Sequence, residues 1–328
     1  MYKSIALALP IALTLLAAGT AQAQADYPVR PVRMLTVASA GGGGDAIARL
    51  YADRMATLLK GSFIVDNRPG AGGALAMDAV AKAAPDGYTI GLGGFTSNVL
   101  LSIVRAKMSY DSVKDFAPIA QIGTASILLI AANDVPANNT KELIALAKSG
   151  PKDALAYASW GVGSTGHFCG ELLNQRAGIA MRHIPYKSVS TIMNDIMGGQ
   201  IKLATIDMAS GGPLVKSGRV KAIGSCVQRS PSLPDVRGFA EDGIDFAGKS
   251  ALAPMWAFYA PAGTPKSIVD KLTQAMRQVT EMPDVKAKLL EFGVTADFLP
   301  GEVFRELLTA GIPQWKEIAT KSNIHVEE

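Results

Sequence analysis

Blocks of apolar residues along the chain predict a repeated alternation of strands and helices. Residues Val32 to Val37 form an apolar segment suited to a buried strand, and the apolar residues that follow recur at the spacing of one helix face. Further strands are predicted at Phe63 to Asp66, Tyr88 to Leu92, Phe116 to Ile122, Ser126 to Ala131, Leu155 to Ser159, His183 to Tyr186, Leu203 to Asp207 and Val220 to Cys226. This alternation is typical of α/β proteins with parallel sheets covered by helices.

Helices are predicted between these strands from apolar spacing and from end signals. Asn139 is placed to cap a helix that ends at Lys148, with Glu142 at the reciprocal position. Thr264-Pro265 begins the first of three helical stretches near the C-terminus, because proline suits the first helical position. Pro313 is expected to kink or break the last of them.

The first 23 residues have the pattern of a secretory signal peptide. One positive charge at Lys3 precedes an apolar stretch from Ile5 to Ala18, and Ala21-Gln22-Ala23 matches the small-residue cleavage site. The apolar stretch is short for a membrane span. We therefore expect cleavage after Ala23, with Ala25 as a near alternative, and export of a soluble protein to the bacterial periplasm.

The composition of the remaining chain narrows the classes of ligand. About 305 residues follow Ala23, which is enough for two domains. The formal net charge is +4, and +3 once Lys3 is removed, with basic residues scattered rather than clustered. This balance disfavours nucleic acid as a partner and is compatible with a small anionic ligand.

The cysteines and histidines predict neither a metal site nor a catalytic cluster. His167, His183 and His325 lack metal-ligand spacing to one another, to cysteine or to a carboxylate. Export permits a disulfide between Cys169 and Cys226. Two cysteines do not make a disulfide framework, so the sequence favours the unpaired state and leaves the pairing open.

A run of four glycines between the first strand and the first helix is the most informative motif. The segment Val37 to Asp45 contains Gly41 to Gly44, whose backbone amides carry no covering side chains. The helix after them adds unpaired N–H groups and a partial positive charge, which together favour a carboxylate or phosphate. The alternative interpretation is a tight strand-to-helix turn.

A second strand–glycine loop–helix unit occupies Tyr157 to Gly170 and allows two other interpretations. Gly161 to Gly166 matches the dinucleotide-binding pattern, but the expected acidic residue about 20 positions later is absent. Ser164 suggests a hydrolase nucleophile, but Val162 replaces the glycine of the nucleophile elbow, and His167 lies only three residues away. A helix cap or a hydroxyl donor explains Ser164 better.

Motifs in order along nearly the whole mature chain resemble the Bug family of extracytoplasmic solute receptors, the TctC-like proteins of tripartite tricarboxylate transporters. They are Tyr27-Pro-Val-Arg-Pro31, the glycine loop with Asp45 and Ala48-Arg49, Asn67-Arg-Pro-Gly-Ala-Gly-Gly73, Pro85-Asp-Gly-Tyr88, Tyr110-Asp111 with Asp115-Phe116, Tyr157-Ala-Ser159 with Gly163-Ser164 and His167, Gly170-Glu171-Leu172, Pro185-Tyr-Lys187, Gly198-Gly-Gln200, Arg229-Ser230 with Leu233-Pro-Asp-Val236, and Ala260-Pro-Ala-Gly-Thr-Pro265.

The resemblance implies a type II-like periplasmic binding protein of two α/β domains with a ligand cleft between them. The expected boundaries are 27–124 with 226–328 for domain 1 and 125–225 for domain 2. It also implies a monomeric, non-enzymatic receptor without a cofactor, which delivers a small carboxylate to TctA/TctB-like membrane subunits. A receptor that senses the ligand for a signalling partner is the alternative, and a secreted serine hydrolase is a weaker one.

The ligand-binding residues are expected on two loops and at the ends of two strands. By resemblance the loops are Ser39 to Asp45 and Ser159 to His167. Asp207 suits a ligand hydroxyl or amine, or else caps the following turn, and Asn98 is a similar candidate from the first domain. The expected set is Ser39, Ala40, Gly41, Gly42, Asp45, Asn98, Ser159, Trp160, Gly163, Ser164, Thr165, His167 and Asp207.

Four positions depart from the family pattern and leave the ligand open. Ser39-Ala40 stands where many relatives have Pro-Pro, which adds a hydroxyl and restores two backbone N–H groups. Trp160 stands where relatives often have a small residue, and either stacks on a ligand ring or packs against a neighbouring loop. Cys169 replaces a usual alanine.

Overall fold

The computed structural model describes residues 27–151, 154–227, 229–246, 250–321 and 324. The predicted signal peptide and His325 lie outside these residues. Two separate β-sheets organise the described chain. The first has the strand order β11-β4-β10-β3-β1-β2, formed by β1 (Val32–Thr36), β2 (Phe63–Asn67), β3 (Thr89–Gly94), β4 (Phe116–Ala125), β10 (Met255–Pro261) and β11 (Val294–Pro300).

The second sheet has the strand order β7-β6-β8-β5-β9. Its strands are β5 (Ile127–Ala131), β6 (Ala156–Ser159), β7 (Arg182–Pro185), β8 (Leu203–Asp207) and β9 (Lys221–Ser225). We call the first sheet with its helices the first lobe and the second sheet with its helices the second lobe.

Helices cover both sheets, as the alternating pattern predicts. They are α1 (Gly43–Leu59), α2 (Ala74–Ala81), α3 (Leu101–Val104), α4 (Thr140–Ser149), α5 (Thr165–Ala177), α6 (Val189–Met197), α7 (Met208–Lys216), α8 (Lys266–Glu281), α9 (Pro283–Glu291) and α10 (Gly301–Lys321). In the described part of the chain, no helix combines the length and apolarity that a membrane span requires.

The prediction of parallel sheets is only partly right, because both sheets are mixed. β1 pairs parallel with β2 and β3, whereas β10 and β11 run antiparallel to their neighbours. Ser126 alone separates β4 from β5, so the chain passes directly from one sheet into the other. β5 consequently runs antiparallel to both β8 and β9. The two consecutive strands predicted at Phe116 to Ile122 and Ser126 to Ala131 thus belong to different sheets, while the domain boundaries stay a prediction.

The expectation that the cysteines stay unpaired is wrong. Cys169 on α5 and Cys226 just after β9 form a disulfide, and both are fully buried in the second lobe. β9 lies at the edge of the second sheet, next to β5, a relationship that periodicity does not encode. The disulfide therefore ties a helix to the segment by which the chain leaves this sheet.

Of the two outcomes expected at Pro313, a kink or a break, the break is wrong. α10 continues as one element from Gly301 to Lys321 with Pro313 inside it, so the helix is not broken there. Trp315, two residues later, is fully buried against Phe95 and Phe246, and its indole N–H donates to the Leu252 carbonyl at 2.8 Å. This packing supplies a tertiary reason for the helix to continue past the proline.

Candidate functional site

A cleft between the lobes encloses about 130 Å³ where strands from both sheets end. The first lobe contributes the residues after β1 and β3 and the start of β10, and the second contributes those after β6, β7 and β8. Ligands of α/β proteins commonly bind at the carboxyl ends of parallel strands. Of the predicted residues, those that line the cleft are Ser39, Gly42, Trp160, Thr165 and Asp207.

The glycine loop begins α1 at the edge of the cleft. Gly42 is the N-cap, and no side chain caps the helix, so the first-turn N–H groups of α1 carry no side-chain partner. A Cβ atom on Gly43 would lie 2.4 Å from Ala209 Cβ, and one on Gly44 would lie 2.6 Å from Trp256 Cη2. These two glycines therefore permit a close approach of the second lobe and of the Trp256 ring.

Asp45 holds this loop in shape and does not line the cleft. Its carboxylate accepts hydrogen bonds from the Gly41 N–H at 2.9 Å and from Asn67 Nδ2 at 2.9 Å, and it pairs with Arg49. Burial raises the pKa of Asp45, but these hydrogen bonds and the Arg49 charge outweigh that effect and lower it below its usual value. Ala40 and Gly41 are exposed at the loop tip, outside the cleft lining.

Much of the second predicted loop faces the interior of its own lobe. Ser164 is fully buried, and its Oγ accepts the His167 backbone N–H as the N-cap of α5. The Gly163 N–H donates to His167 Nδ1 at 3.1 Å, and Ser159 Oγ lies 2.7 Å from His183 Nε2. These four predicted residues, Ser159, Gly163, Ser164 and His167, support the loop rather than line the cleft.

The two histidines behind this loop stack on each other. Their ring centroids are 4.1 Å apart, and both rings are largely shielded from solvent. Burial lowers the pKa of His167 to about 4, and burial together with the neighbouring His167 lowers the pKa of His183 to about 3. Both are therefore neutral at pH 7, and His167 Nδ1 is free to accept the Gly163 N–H.

This geometry also bears on the hydrolase interpretation. A serine nucleophile needs an accessible hydroxyl within reach of the base nitrogen of a histidine. Here Ser164 Oγ contacts the backbone N–H of His167, while the His167 ring accepts from Gly163. The serine and the imidazole are therefore engaged in holding the loop.

Trp160 and Thr165 contact the first lobe directly. Thr96 Oγ1 lies 2.9 Å from Thr165 Oγ1, and it accepts the Thr165 backbone N–H at 3.0 Å. The Trp160 indole N–H donates to the same Thr96 oxygen at 3.4 Å. Thr96, which the sequence reasoning did not select, thus bridges the lobes at the α5 N-terminus.

Asn98, by contrast, is completely buried outside the cleft lining. Its Oδ1 accepts from Ser97 Oγ at 2.7 Å, and its Nδ2 has no hydrogen-bond partner among the described residues. A Cβ atom on Gly93 would lie 2.2 Å from Asn98 Oδ1, so the amide packs tightly against β3. This buried position indicates that Asn98 supports the structure beneath the cleft instead of contacting a ligand.

The sequence reasoning missed the segment Lys187 to Ser190, which lines the cleft. Ser188 is the N-cap of α6 and accepts the Thr191 N–H, while Lys187 is exposed. A serine directly before a helix is a capping signal that could have located this helix start.

Trp256 at the start of β10 was missed as well, since β10 was not predicted. It lines the cleft beside Met255, and its ring lies over the glycine loop next to Gly44. Phe95 of the same lobe and Trp160 of the second lobe also line the cleft, which gives the described lining three aromatic residues. The cleft thus combines apolar walls with polar loop ends, the combination usual in small-molecule sites.

Asp207 ends β8 and caps α7, with Oδ1 accepting the Ser210 N–H at 2.9 Å. Burial raises the pKa of Asp207, partly offset by hydrogen bonds from Ser210 and from neighbouring backbone N–H groups. Ser210 also lines the cleft, and its buried Oγ lies beside this carboxylate without reaching hydrogen-bond geometry to any described residue.

The electrostatic character of the cleft comes mainly from helix ends. α1, α5, α6 and α7 all begin at residues on or next to its lining. Each helix N-terminus presents N–H donors and a partial positive charge. Among the described lining residues, Lys187 is the basic side chain and Asp207 the acidic one. No group of three potential metal ligands occurs among the described residues.

Similarity to solved structures supports the same architecture. Rpa4515 of R. palustris, solved with adipate, matches with a TM-score of 0.85 and 28% identity over 92% of this chain and 99% of that one. The periplasmic binding protein BugD matches with a TM-score of 0.83 and 31% identity over 92% and 100%. MatC of Rhodopseudomonas palustris, with bound malate, matches with 0.80 and 28% over 89% and 99%.

Two α/β lobes around a cleft, with these structural relatives, define a periplasmic solute-binding protein. The model of the tripartite tricarboxylate transporter family receptor matches residues 47–324, and the chain belongs to that family. A UPF0065 protein of Bordetella bronchiseptica is 33% identical over 295 residues, which cover 89% of this chain and 86% of that protein. The resemblance to TctC-like and Bug proteins is therefore confirmed.

Proposed function

We propose that this receptor captures a small carboxylate in its cleft and delivers it to TctA/TctB-like membrane subunits. The observation that carries the proposal is the convergence of four helix N-termini on one cleft. Backbone N–H groups and hydroxyls bind an anion there without a buried permanent ion pair, whose desolvation is costly. Adipate and malate in two related structures add support from the same family.

The ligand would contact both lobes and favour their closed arrangement. Ser39 and Gly42 belong to the first lobe, while Trp160, Thr165 and Asp207 belong to the second. Ser159, Gly163, Ser164 and His167 would act behind them by fixing the second loop. A ligand shifts the equilibrium between open and closed lobes only by its preference for one of them. Recognition of the closed form by the membrane subunits would couple binding to transport.

Export belongs to the same proposal, with residues 1–23 removed as a signal peptide and the mature receptor acting as a monomer. N-terminal sequencing of the protein recovered from the periplasm tests the cleavage site. A first residue of Gln24 is expected. A retained Lys3 would contradict the proposed processing.

A thermal-shift screen of ligand-free mature protein against carboxylates and their amides tests the binding function. A ligand at 100 times its dissociation constant adds about 2.7 kcal/mol to the stability, which is a readily measured shift. We expect a response to an acid and none to its amide. Folded, ligand-free protein that responds to no carboxylate would overturn the proposal.

The Gly42→Val variant tests the role of the glycine loop in that binding. A valine side chain would cover the backbone amides of the N-cap and is expected to abolish the shift while the protein stays folded. Gly212→Ala, inside α7, is a matched control, because a Cβ atom there meets only the Met208 side chain at 3.4 Å. Unchanged affinity in Gly42→Val would remove the loop from the site.

A further inference from the structure

We propose that Asp207 and Ser210 form a subsite for an ammonium group, so that the receptor selects an α-amino acid over the plain carboxylate with the same skeleton. The inference rests on the proposed function and names the second polar group of its ligand. It follows from the one acidic side chain of the described cleft lining, from the hydroxyl beside it, and from their position against the glycine loop.

Asp207 has no cationic partner in the part of the chain that the structure describes. No lysine, arginine or histidine among the described residues lies within ion-pair distance of its carboxylate, whose hydrogen bonds come from uncharged groups such as the Ser210 N–H. A carboxylate withdrawn from water without a counter-ion is costly. A cation arriving with the ligand would remove that cost.

Ser210 supplies a second acceptor next to the carboxylate. Its side chain is only 7% exposed, and its Oγ has no hydrogen-bond partner among the described residues. A buried hydroxyl is normally hydrogen-bonded, so an unpartnered one in a cleft wall points to a group that arrives from outside. An ammonium group carries three N–H donors, which suit a carboxylate and a hydroxyl together.

The position of Asp207 relative to the glycine loop fits the geometry of an α-amino acid. A Cβ atom on Gly43 would lie 2.7 Å from Asp207 Oδ1, so the carboxylate packs directly beside the start of α1 in the cleft wall. The α1 N-terminus is the proposed carboxylate site. A carboxylate and an ammonium on the same carbon would reach these two adjacent positions at once.

A ligand hydroxyl is the competing donor, and it fits less well. Burial raises the pKa of Asp207, because a charged carboxylate is disfavoured where water is largely excluded. A hydroxyl provides one hydrogen bond and no compensating charge. An ammonium group provides both, and charge-assisted hydrogen bonds are about twice as strong as neutral ones.

Calorimetric titration with matched acids tests the subsite. The probes are three trios with hydrogen, hydroxyl or ammonium at the same carbon: propionate, lactate and alanine; succinate, malate and aspartate; and 3-phenylpropionate, 3-phenyllactate and phenylalanine. We expect at least a tenfold preference for the amino acid within any trio that binds. Each trio holds the skeleton constant, so the preference reports only the added group.

Two variants separate the subsite from a capping role. Asparagine caps helices as well as aspartate does, so Asp207→Asn retains the α7 cap and removes the charge. Asp207→Asn should reduce the preference for the amino acid to about twofold or less. The plain acid should bind to this variant as tightly as to the wild type, or more tightly. Ser210→Ala should reduce the preference partially. Asp270→Asn, an exposed carboxylate paired with Lys266, is the control for net charge and should change nothing.

Each remaining result would overturn the inference in a distinguishable way. A hydroxy acid that binds as tightly as the amino acid would reassign the subsite to a hydroxyl. If Asp207→Asn lowered the affinity for all three members of a trio equally, Asp207 would act only as the cap of α7. If carboxylates bind in the wider screen but no amino acid is preferred, the subsite fails and the receptor function stands. If no carboxylate binds at all, both fail.

Discussion

The Thr96 hydroxyl of the first lobe accepts the backbone N–H of Thr165 in the second lobe at 3.0 Å. Both residues are buried where the lobes meet. The contact joins a residue after β3 to the first residue of α5, so it couples the position of one lobe to a helix start that lines the cleft. Opening of the lobes at this point would break it.

Thr96→Val is expected to weaken closure and ligand binding. Valine keeps the shape but leaves the Thr165 N–H without its acceptor, which costs about 1–3 kcal/mol. Affinity for a carboxylate found in the screen should therefore fall about fivefold or more. Solution X-ray scattering should show a more open ligand-free protein. Thr96→Ser retains the hydroxyl and should behave like the wild type; an equal loss in that variant would refute the role of the hydrogen bond.

Gly43→Ala is expected to abolish binding without unfolding either lobe. The added methyl group would meet Ala209 Cβ at 2.4 Å and Asp207 Oδ1 at 2.7 Å, so the lobes must separate. Titration with the same carboxylate would measure the loss of binding. Circular dichroism would show whether both lobes stay folded. Wild-type affinity in Gly43→Ala would show that the observed approach of the lobes is not needed for binding.

Removal of the disulfide should lower the stability of the second lobe. Cys169 and Cys226 are 57 residues apart, and cross-links of this kind typically contribute about 2–4 kcal/mol. Denaturant unfolding with and without reductant measures the effect. The double variant Cys169→Ala/Cys226→Ala should unfold at a lower denaturant concentration than the oxidised wild type. Its unfolding midpoint should not change when reductant is added. An unchanged midpoint for the reduced wild type would contradict the prediction.

Acidification should destabilise the protein through the stacked histidines. The pKa values of His167 and His183 lie near 4 and 3 in the folded protein, below the ordinary value of 6.5. Between pH 6.5 and about 4 the unfolded chain binds more protons, so stability falls as pH decreases through this window. The loss between pH 7 and pH 5 should be on the order of 2 kcal/mol for each histidine, or about 4 kcal/mol for the pair.

Melting curves from pH 7 to pH 4.5 measure this effect. His183→Gln keeps a polar side chain near Ser159 and removes one titrating group, so its melting temperature should depend less on pH. A variant with the full wild-type pH dependence would show that other groups are responsible.

The local signals in the sequence located most elements correctly. Asn139 caps α4 as predicted, with its side chain accepting the Glu142 N–H, and Ser164 caps α5 in the same way. The glycine run does begin a helix at the cleft edge. These features depend on neighbours within a few residues, which sequence patterns report directly.

Contacts between residues far apart in the sequence could not be predicted from such local patterns. β10 and β11 were missed, and with them Trp256, although the apolar and aromatic run from Met255 to Ala260 is itself a strand signal. The His167 side chain was expected near the ligand but turns toward His183, a residue on a different strand. Which side of a loop faces a cleft depends on what packs behind it.

Ordered motifs and short-range hydrogen-bonding patterns were enough to identify the family, the α/β class and a glycine loop that begins a helix, because that information is local to a few residues. Tertiary structure alone decided the mixed sheets, the Cys169–Cys226 disulfide and the division of predicted residues between cleft wall and loop support. The physical reason is packing: two segments distant in sequence, such as those holding Gly43 and Asp207, acquire a joint chemistry only when folding brings them within contact distance.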